Sequence, residues 1–441
     1  MNAALPPRPI HLPEIHLQRL PGGLEVYCAP WRELPLVSIH WILPAGAEGD
    51  PPAKGGAADL AAEMLTLGTK QKSASQLAAT VDGLGASLSA RAGWDYSSIH
   101  IFGLSDDFTT LLDLLLEVMT ESAFAADEFE QLKKRRLAAL WQQKDESAII
   151  AEERFQEILF RGTPYDHPVY GTLKSNPSLG VEEVKAVYQK NIGLEGGFGV
   201  VVGDIQPETF FRWADAHFPS SGPQEKTVPV QFSPAFHPGR RIFLVDRPDL
   251  TQSQIRLGHV GIPHAHPDYH AFEVMNYILG GGGFSSRLMQ RIRVELGFTY
   301  GIRSSLDQRK NSGPFTVATF TPTETTVPCV TEIFSVIQSF QEQGATEKER
   351  EEAGNFLTGS YPMKFETPAQ IAQRVIQAKL HGLGLESLAR YPERVAAISL
   401  PEIARAAREH LYPENMLIVV VGRSESFRRD FAAWGPVEVV E

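Results

Sequence analysis

The sequence has little cysteine and no long hydrophobic run, and each absence excludes a class of protein. It contains two cysteines, Cys28 and Cys329, with no C-x-x-C pattern. They specify neither a zinc–thiolate site nor a disulfide framework, so we expect two reduced, part-buried thiols. No stretch of about 18 apolar residues is present, and none is therefore expected to span a membrane. Met1–Pro13 lacks the apolar core of a signal peptide, which predicts a cytoplasmic protein, or a periplasmic one if this N-terminus is already processed.

Positive charge is also scarce. The chain has 41 Lys and Arg against 53 Asp and Glu, a net charge of -12 and a pI near 5.6. This balance argues against nucleic-acid or anionic-membrane partners, which require a basic surface. It leaves peptides and unfolded protein segments as ligands. The serine-hydrolase motif G-x-S-x-G is absent, and the run Gly280–Gly283 lacks the lysine of a phosphate-binding loop.

The chain consists of two copies of one plan, offset by about 215 to 220 residues. Each half has two early strands, an apolar helix that runs into glycine, and a closing helix and strand that ends in V-V-G. These segments are Leu24–Pro30, Leu36–Leu43, Ala58–Leu67, Val181–Tyr188 and Gly199–Gly203, then Ile242–Pro248, Gln254–Val260, Tyr269–Leu279, Ile403–His410 and Leu417–Gly422.

Strands mixed with long helices predict an α+β fold with two homologous domains. Each domain is expected to be a mixed or antiparallel sheet with helices packed on one face. We place the N-terminal domain at residues 1–218 and the C-terminal domain at 241–441. The segment between them, 219–240, is rich in Pro, Ser, Gly and Gln and has weak periodicity, which predicts a linker.

The first-half helix has the frame of a metal site without its ligands. The stretch from Gly55 to Thr69 resembles the one that carries H-x-x-E-H, followed by M-L-x-x-G-T, in the pitrilysin / mitochondrial-processing-peptidase (inverzincin) family. Histidines at i and i+4 would bind one zinc ion, and the glutamate beside them would accept a proton from zinc-bound water. Here the two histidine positions hold Asp59 and Glu63, and the glutamate position holds Ala62.

The resemblance implies that this half binds no zinc and hydrolyses no peptide. Relatives carry a third ligand, a glutamate, about 75 to 80 residues downstream, whereas residues 135–142 contain no acid. We expect Asp59 and Glu63 to form a solvated acidic face. An alternative is that they contribute to a calcium or magnesium site.

The second half keeps a fuller motif. The stretch from Gly280 to Tyr300 contains a glycine-rich loop, F-S-S-R-L, and then R-x-x-x-G-x-x-Y. It resembles the second-domain signature of the same family, in which an arginine and a tyrosine face the zinc ion across a chamber. Carried over by position, these residues are Arg293 and Tyr300, whose donors suit a developing oxyanion. The resemblance also assigns substrate binding to the loop residues Gly281, Gly282, Gly283 and Phe284.

Two other segments have weaker functional interpretations. His264, His266, Asp268 and His270 include H-x-H spacing that can bind metal, but Asp268 is a good N-cap for the following helix. Residues 85–101 alternate like an antiparallel hairpin. In catalytic relatives the corresponding strand edge takes up substrate, but here it lies beside the degenerate motif, and we expect a sheet strand only.

The resemblance, together with the missing ligands, implies a zinc-free, non-catalytic subunit of a heterodimeric zinc metalloendopeptidase, inactive alone. Its partner would be a homologous subunit with an intact H-x-x-E-H, which supplies the zinc, and its substrate a peptide or an unfolded protein. This chain itself would hold no cofactor. Two alternatives are a non-enzymatic scaffold or homodimeric pseudopeptidase of the same fold, and a self-sufficient metalloenzyme that uses Asp59 and Glu63.

Overall fold

The structure, a computed structural model, describes residues 12–20, 23–191, 197–218, 232 and 237–440. Most of the predicted linker at 219–240 and of the segment Met1–Pro13 lies outside the described residues. The strands are β1 His16–Arg19, β2 Glu25–Pro30, β3 Leu36–Leu43, β4 Ser87–Ala92, β5 Ser97–Leu104, β6 Phe198–Gly203, β7 Arg241–Asp246, β8 Gln252–Val260, β9 Ile302–Leu306, β10 Pro314–Pro322, β11 Leu417–Gly422 and β12 Val437–Val440.

Helices follow the strands in both halves of the chain. The first half has α1 Ala57–Met64, α2 Ala74–Gly83, α3 Phe108–Glu121, α4 Ala126–Gln143, α5 Ser147–Leu159, α6 Val181–Asn191 and α7 Pro207–His217. The second half has α8 Tyr269–Asn276, α9 Thr326–Gln343, α10 Glu347–Ser360, α11 Pro368–Leu380, α12 Glu386–Ala396, α13 Leu400–His410 and α14 Arg428–Phe431. Within these ranges, no helix is both long and apolar enough to cross a membrane.

The strands form two mixed six-stranded sheets of matching topology, as the internal repeat predicts. The first sheet has the order β1-β2-β6-β3-β5-β4, and the second has β12-β7-β11-β8-β10-β9. In each sheet the closing V-V-G strand is central, parallel to the first main strand and antiparallel to the second. The outer strand differs, because β1 precedes β2 and pairs with it antiparallel, whereas β12 comes last and pairs with β7 in parallel. The two-domain α+β fold is therefore confirmed.

Each sheet has one face covered by helices of its own half, as expected, and the other face covered by a helix of the opposite half. In the first sheet Val26, Ile39 and Trp41 pack into a core with α1, α3 and α7. The opposite face, which includes Ile42 and Val200, packs with α11 of the second half.

The second sheet shows the reciprocal arrangement. Its face against α8 and α9 is a continuous apolar core, and α5 of the first half lies across β8 and β11 on the other face. The two halves are thus interlocked, which a reading of each half by itself does not predict.

Candidate functional site

The start of helix α1 is bound by a part-buried acid that precedes it. Both oxygens of Asp50 accept backbone hydrogen bonds, from Gly56 N–H and Ala58 N–H, each at 2.7 Å. Burial raises the pKa of the Asp50 carboxyl to about 6, against these two hydrogen bonds, which lower it. The capped helix carries Asp59, Ala62 and Glu63 toward α4 and the edge strand β4, so the frame of a metal site is preserved.

A guanidinium group lies beside the two acids of the degenerate motif. Arg136 of α4 donates through Nη2 to Asp59 Oδ2 at 2.6 Å and to Glu63 Oε1 at 3.0 Å. Its Nη1 donates to the carbonyl oxygen of Tyr170 at 3.0 Å. The side chains of Arg136 and Asp59 are each only 9% exposed. The expectation of a solvated acidic face was therefore wrong, because Asp59 is buried and both acids are ion-paired with Arg136.

The neighbouring edge strand completes this network. Arg91 of β4 forms an ion pair with Glu63, and the backbone N–H of Ala92 donates to Asp59 Oδ1 at 3.1 Å. Each carboxylate thus has partners from both α4 and β4. Charged groups removed from water require such pairing, and here it is complete without a metal ion.

The residues present do not fit zinc. Ala62 has no group that could act as a base, and the imidazole ligands are replaced by carboxylates that already bind arginine. A divalent cation would have to displace the cationic Arg136 from between Asp59 and Glu63. The same contacts argue against the calcium or magnesium alternative and against a self-sufficient metalloenzyme.

Sequence reasoning missed Arg136, although the signal was present. Asp59 and Glu63 are spaced for one helix face, and the region where relatives carry an acidic ligand reads Arg135-Arg136 here. Acidic residues stand at the histidine positions, and basic residues stand where relatives carry a glutamate, so the charges at these positions are the reverse of those in a zinc site. Such a reversal predicts an ion pair in place of a metal site.

Three side chains of the second-half motif form a cluster in which both aromatic rings are exposed and the arginine is part-buried. The guanidinium carbon of Arg293 lies 4.4 Å from the ring centre of Phe284 and 4.6 Å from that of Tyr300. Phe284 is 63% exposed and Tyr300 is 78% exposed. We call these residues the Phe284–Arg293–Tyr300 cluster. Cation–π contact holds the guanidinium between the rings, and Arg293 forms no ion pair with any carboxylate of the described residues.

The backbone around this cluster has an unusual conformation. Arg293 lies in a π-helical segment, Met289–Glu295, an element that occurs often at functional sites. Gly297, which follows the C-cap residue Leu296, adopts a positive φ of 64°, as expected of a residue that ends a helix. The chain then turns, so that Tyr300 precedes β9 and meets Arg293.

The glycine-rich loop is packed closely at one end and open at the other. A Cβ atom on Gly280 would lie 2.5 Å from Ser304 Oγ and 2.7 Å from its backbone nitrogen, so only glycine fits there. Gly283 has a φ of 58° and open space around it. Gln290 Nε2 donates to the carbonyl oxygen of Phe284 at 2.5 Å, which anchors the loop where Phe284 enters the cluster.

The histidine loop before α8 contributes to an ion-pair site and not to the metal site that its H-x-H spacing suggests. Asp268 is the N-cap residue of α8, as predicted, but its side chain makes no cap hydrogen bond. Its two oxygens accept from Arg405 at 2.5 and 2.7 Å, and His410 Nε2 lies 2.8 Å from Oδ2. In the described part of the chain, His266, Asp268 and His410 form the one group with metal-ligand spacing. Arg405 already supplies the cation there.

The predicted hairpin and the two thiols are readily located. Strands β4 and β5 pair antiparallel, with Ala92 opposite Ser97, and β4 forms the edge of the first sheet.

Cys28 and Cys329 are free and fully buried in the two cores. Burial raises the pKa of each thiol to about 12. For Cys28 the charge of Glu208 adds to the effect.

Two sequence models of one peptidase family match the chain. The model described as Insulinase (Peptidase family M16) matches residues 35–173, and the one described as Peptidase M16 inactive domain matches residues 178–357. The first match contains the degenerate motif, and the second contains the Phe284–Arg293–Tyr300 cluster.

Individual relatives resemble the chain over most of its length. A protein of Rickettsia bellii, named as an uncharacterized zinc protease, is 25% identical over 360 residues, which cover 82% of this chain and 86% of the relative. The non-peptidase homolog YmxG of Helicobacter pylori is 26% identical over 397 residues, covering 89% and 90%. The crystal structure of a peptidase M16 inactive domain from Pseudomonas fluorescens superposes with a TM-score of 0.84 at 28% identity, covering 93% of this chain and 98% of that one.

Proposed function

The chain belongs to peptidase family M16, as a member with an inactive catalytic motif, and from this premise we propose that it is the metal-free subunit of a heterodimeric zinc metallopeptidase. The zinc ion and its water would be held by the first domain of a homologous subunit with an intact H-x-x-E-H. This chain would complete the site from its second domain, and the substrate would be a peptide or an unfolded protein segment.

The observation that carries the proposal is the exposure of the Phe284–Arg293–Tyr300 cluster. A guanidinium group held by two rings, with no carboxylate partner among the described residues, keeps its donors available. Peptide hydrolysis develops negative charge on the scissile carbonyl oxygen. The Tyr300 hydroxyl and the Arg293 N–H groups are the type of donors that stabilise such an oxyanion. Gly281, Gly282, Gly283 and Phe284 would contact the substrate.

The closed first-half motif supports the same division of roles. Because Arg136 satisfies Asp59 and Glu63, this chain has no use for a metal ion of its own at that position. Chemistry at the cluster would then depend on a zinc ion from another chain. Zinc bound there would polarise the carbonyl and activate water, while Arg293 and Tyr300 would bind and orient the substrate.

The test mixes this chain with a homologue from the same genome that carries an intact H-x-x-E-H, and follows cleavage of unstructured peptides. Each chain alone is expected to be inactive and the mixture active. In the mixture, Arg293→Ala and Tyr300→Phe should lower kcat/KM by about 100-fold, the size expected when an oxyanion donor is lost. Arg390→Ala, which removes an exposed arginine of α12, is the matched control.

The outcomes separate the proposal from a scaffold. Association without any gain in activity, or full activity with both cluster variants, would leave the chain as a non-enzymatic scaffold. Chelator-sensitive cleavage by this chain alone would contradict the proposal as well. Association is measured separately by analytical ultracentrifugation, so that a failed assembly is not mistaken for a failed active site.

A further inference from the structure

A cavity of about 220 Å³ lies in the second half, apart from the Phe284–Arg293–Tyr300 cluster. Parts of α8, α11 and α12 and the turn Tyr361–Phe365 enclose it. Tyrosine rings and charged side chains share its wall. The residues used below are Tyr391, Glu273, Lys364, Arg374, His264 and His270.

A carboxylate and two half-buried cationic side chains line this cavity, and they form no ion pair with one another. Glu273 accepts a hydrogen bond from the Tyr391 hydroxyl at 2.9 Å through Oε1, whereas its buried Oε2 has no hydrogen-bond partner and lies 3.6 Å from His270 Nδ1. Lys364 and Arg374 are both half-buried and form no ion pair with a carboxylate of the described residues. Burial lowers the pKa of the Lys364 ammonium, the charge of Glu273 opposes that shift, and the charge of Arg374 adds to it.

Unpartnered polar atoms also concentrate here. Over the described ranges, eight buried side-chain nitrogen or oxygen atoms lack a hydrogen-bond partner, and three of them belong to this cavity wall. They are Glu273 Oε2, His264 Nδ1 and His270 Nδ1, of which Glu273 Oε2 and His270 Nδ1 lie 3.6 Å apart, beyond hydrogen-bond distance. Since buried polar groups normally find partners in protein or water, the concentration points to a polar occupant.

The charges define the chemistry of that occupant. Beside Glu273 Oε2 lies the His270 imidazole and no Lys or Arg of the described residues at ion-pair distance, so this oxygen can accept from a cationic ligand. The half-buried Lys364 and Arg374 favour an anion. Both preferences must be met inside about 220 Å³, which excludes a long peptide. We propose that the cavity binds a small zwitterion of the α-amino-acid class, with its carboxylate toward Lys364 and Arg374 and its ammonium toward Glu273.

Two sources could supply such a molecule, a free amino acid or a dipeptide, and calorimetric titration of the isolated chain distinguishes them. The probes are the twenty L-amino acids, L-leucyl-L-leucine, N-acetyl-L-leucine, L-leucinamide and inorganic phosphate. We expect saturable, one-to-one binding of at least one amino acid or of the dipeptide. Blocking the amine or the carboxylate should weaken the binding of leucine or its dipeptide by about tenfold or more, as for loss of a charged hydrogen bond.

Variants assign the two ends of the ligand. Glu273→Gln keeps an acceptor for Tyr391 but removes the charge, and it should weaken amino-acid binding by about tenfold, as should Arg374→Gln. Arg390→Gln, an exposed charge change on α12, should leave binding unchanged. Unaltered thermal unfolding of each variant shows that the fold is intact.

Three outcomes would overturn the proposal. No heat of binding from any amino acid or the dipeptide at about 10 mM, where even millimolar affinity would be detected, would mean that water fills the cavity. Equal binding of phosphate or N-acetyl-L-leucine would indicate a simple anion site. Binding that Glu273→Gln and Arg374→Gln leave unchanged would place the ligand elsewhere. Because no partner chain is present, none of these results depends on the proposed peptidase function.

Discussion

The two halves of the molecule differ in whether the charged side chains of their motifs are paired within the chain. In the first half, Asp59 and Glu63 are paired with Arg136 and Arg91, and the motif is closed on itself. In the second half, Arg293 rests between two exposed rings and has no ionic partner among the described residues. One region has its charges satisfied within the chain, whereas the other presents a cation and a hydroxyl outward.

This difference separates loss of function from redistribution of function. If both regions had been neutralised internally, the chain would be a scaffold alone. A closed first-half motif in the same chain as an open second-half cluster is instead what the proposed shared active site requires. The comparison makes distinct predictions, because closed ion pairs contribute to folding, and an exposed cluster does not.

The largest effect on folding is expected at Arg136. Arg136→Ala would leave two partly or fully buried carboxylates short of a cation, which destabilises proteins by about 3–5 kcal/mol. Urea denaturation measures the loss of unfolding free energy. Arg135→Ala is the matched control, since this neighbouring arginine is exposed and forms no ion pair among the described residues. A loss below about 1 kcal/mol for Arg136→Ala would show that the first-half motif is not closed in the sense argued.

The second prediction restores zinc ligands at the first-half motif, which would remove the difference between a paired and an unpaired region. The variant with Asp59→His, Ala62→Glu, Glu63→His and Arg136→Glu replaces the ion pairs by zinc ligands on the same elements. At a zinc concentration of 100 times its Kd, binding should raise the free energy of unfolding by about 2.7 kcal/mol. Thermal unfolding with and without zinc measures this. An equal shift in the unaltered chain would show that Arg136 does not exclude the metal.

The third prediction concerns Glu48, which lies in the loop that leads into α1. Burial, and then the nearby charge of Asp95, raise the pKa of the Glu48 carboxyl to about 8, although Lys310 lowers it. In the unfolded chain this carboxyl would have lost its proton by pH 7. The folded state therefore holds more protons, and stability must fall as pH rises toward 8. Between pH 7 and 8.5 the loss should be about 1 kcal/mol.

Glu48→Gln should flatten that slope, as measured by urea denaturation across this range. The window lies above the titration of most unfolded-state histidines and stops where the buried thiols of Cys28 and Cys329 begin to contribute a fall of their own. An unchanged slope in Glu48→Gln would show that another group controls the response.

Sequence reasoning predicts most of the fold, because the duplicated pattern specifies it. The strand Leu36–Leu43 has the bounds expected, and the closing strand Leu417–Gly422 is also confirmed. The interlock was not predicted, since α5 and α11 are amphipathic helices whose sequence does not state which sheet they cover. That choice depends on contacts between segments more than about 160 residues apart, such as α11 with β3 and β6.

The candidate site is predictable to a different depth in each half. Arg293 and Tyr300 are seven residues apart, on either side of the glycine that ends a helix, so their spacing in the sequence indicates that they lie close together. The role of Arg136 depends on α4 meeting α1 across 77 residues, and a separation of that size gives no geometric information in one sequence. The cavity that we propose to bind an amino acid is formed by helices between Tyr269 and Ala396, and no sequence motif marks it.

The smallest effect on folding is expected from Arg293→Ala, and it sharpens the comparison most directly. The guanidinium contacts two exposed rings and has no carboxylate partner in the described part of the chain, so its removal should change the free energy of unfolding by less than about 0.5–1 kcal/mol. Urea denaturation of the isolated chain measures this beside Arg136→Ala. A loss as large as that of Arg136→Ala would mean that the cluster stabilises the fold, and the case for a group kept available to a partner's substrate would fail. A negligible loss of stability together with a large loss of activity in the mixed assembly would assign Arg293 to function.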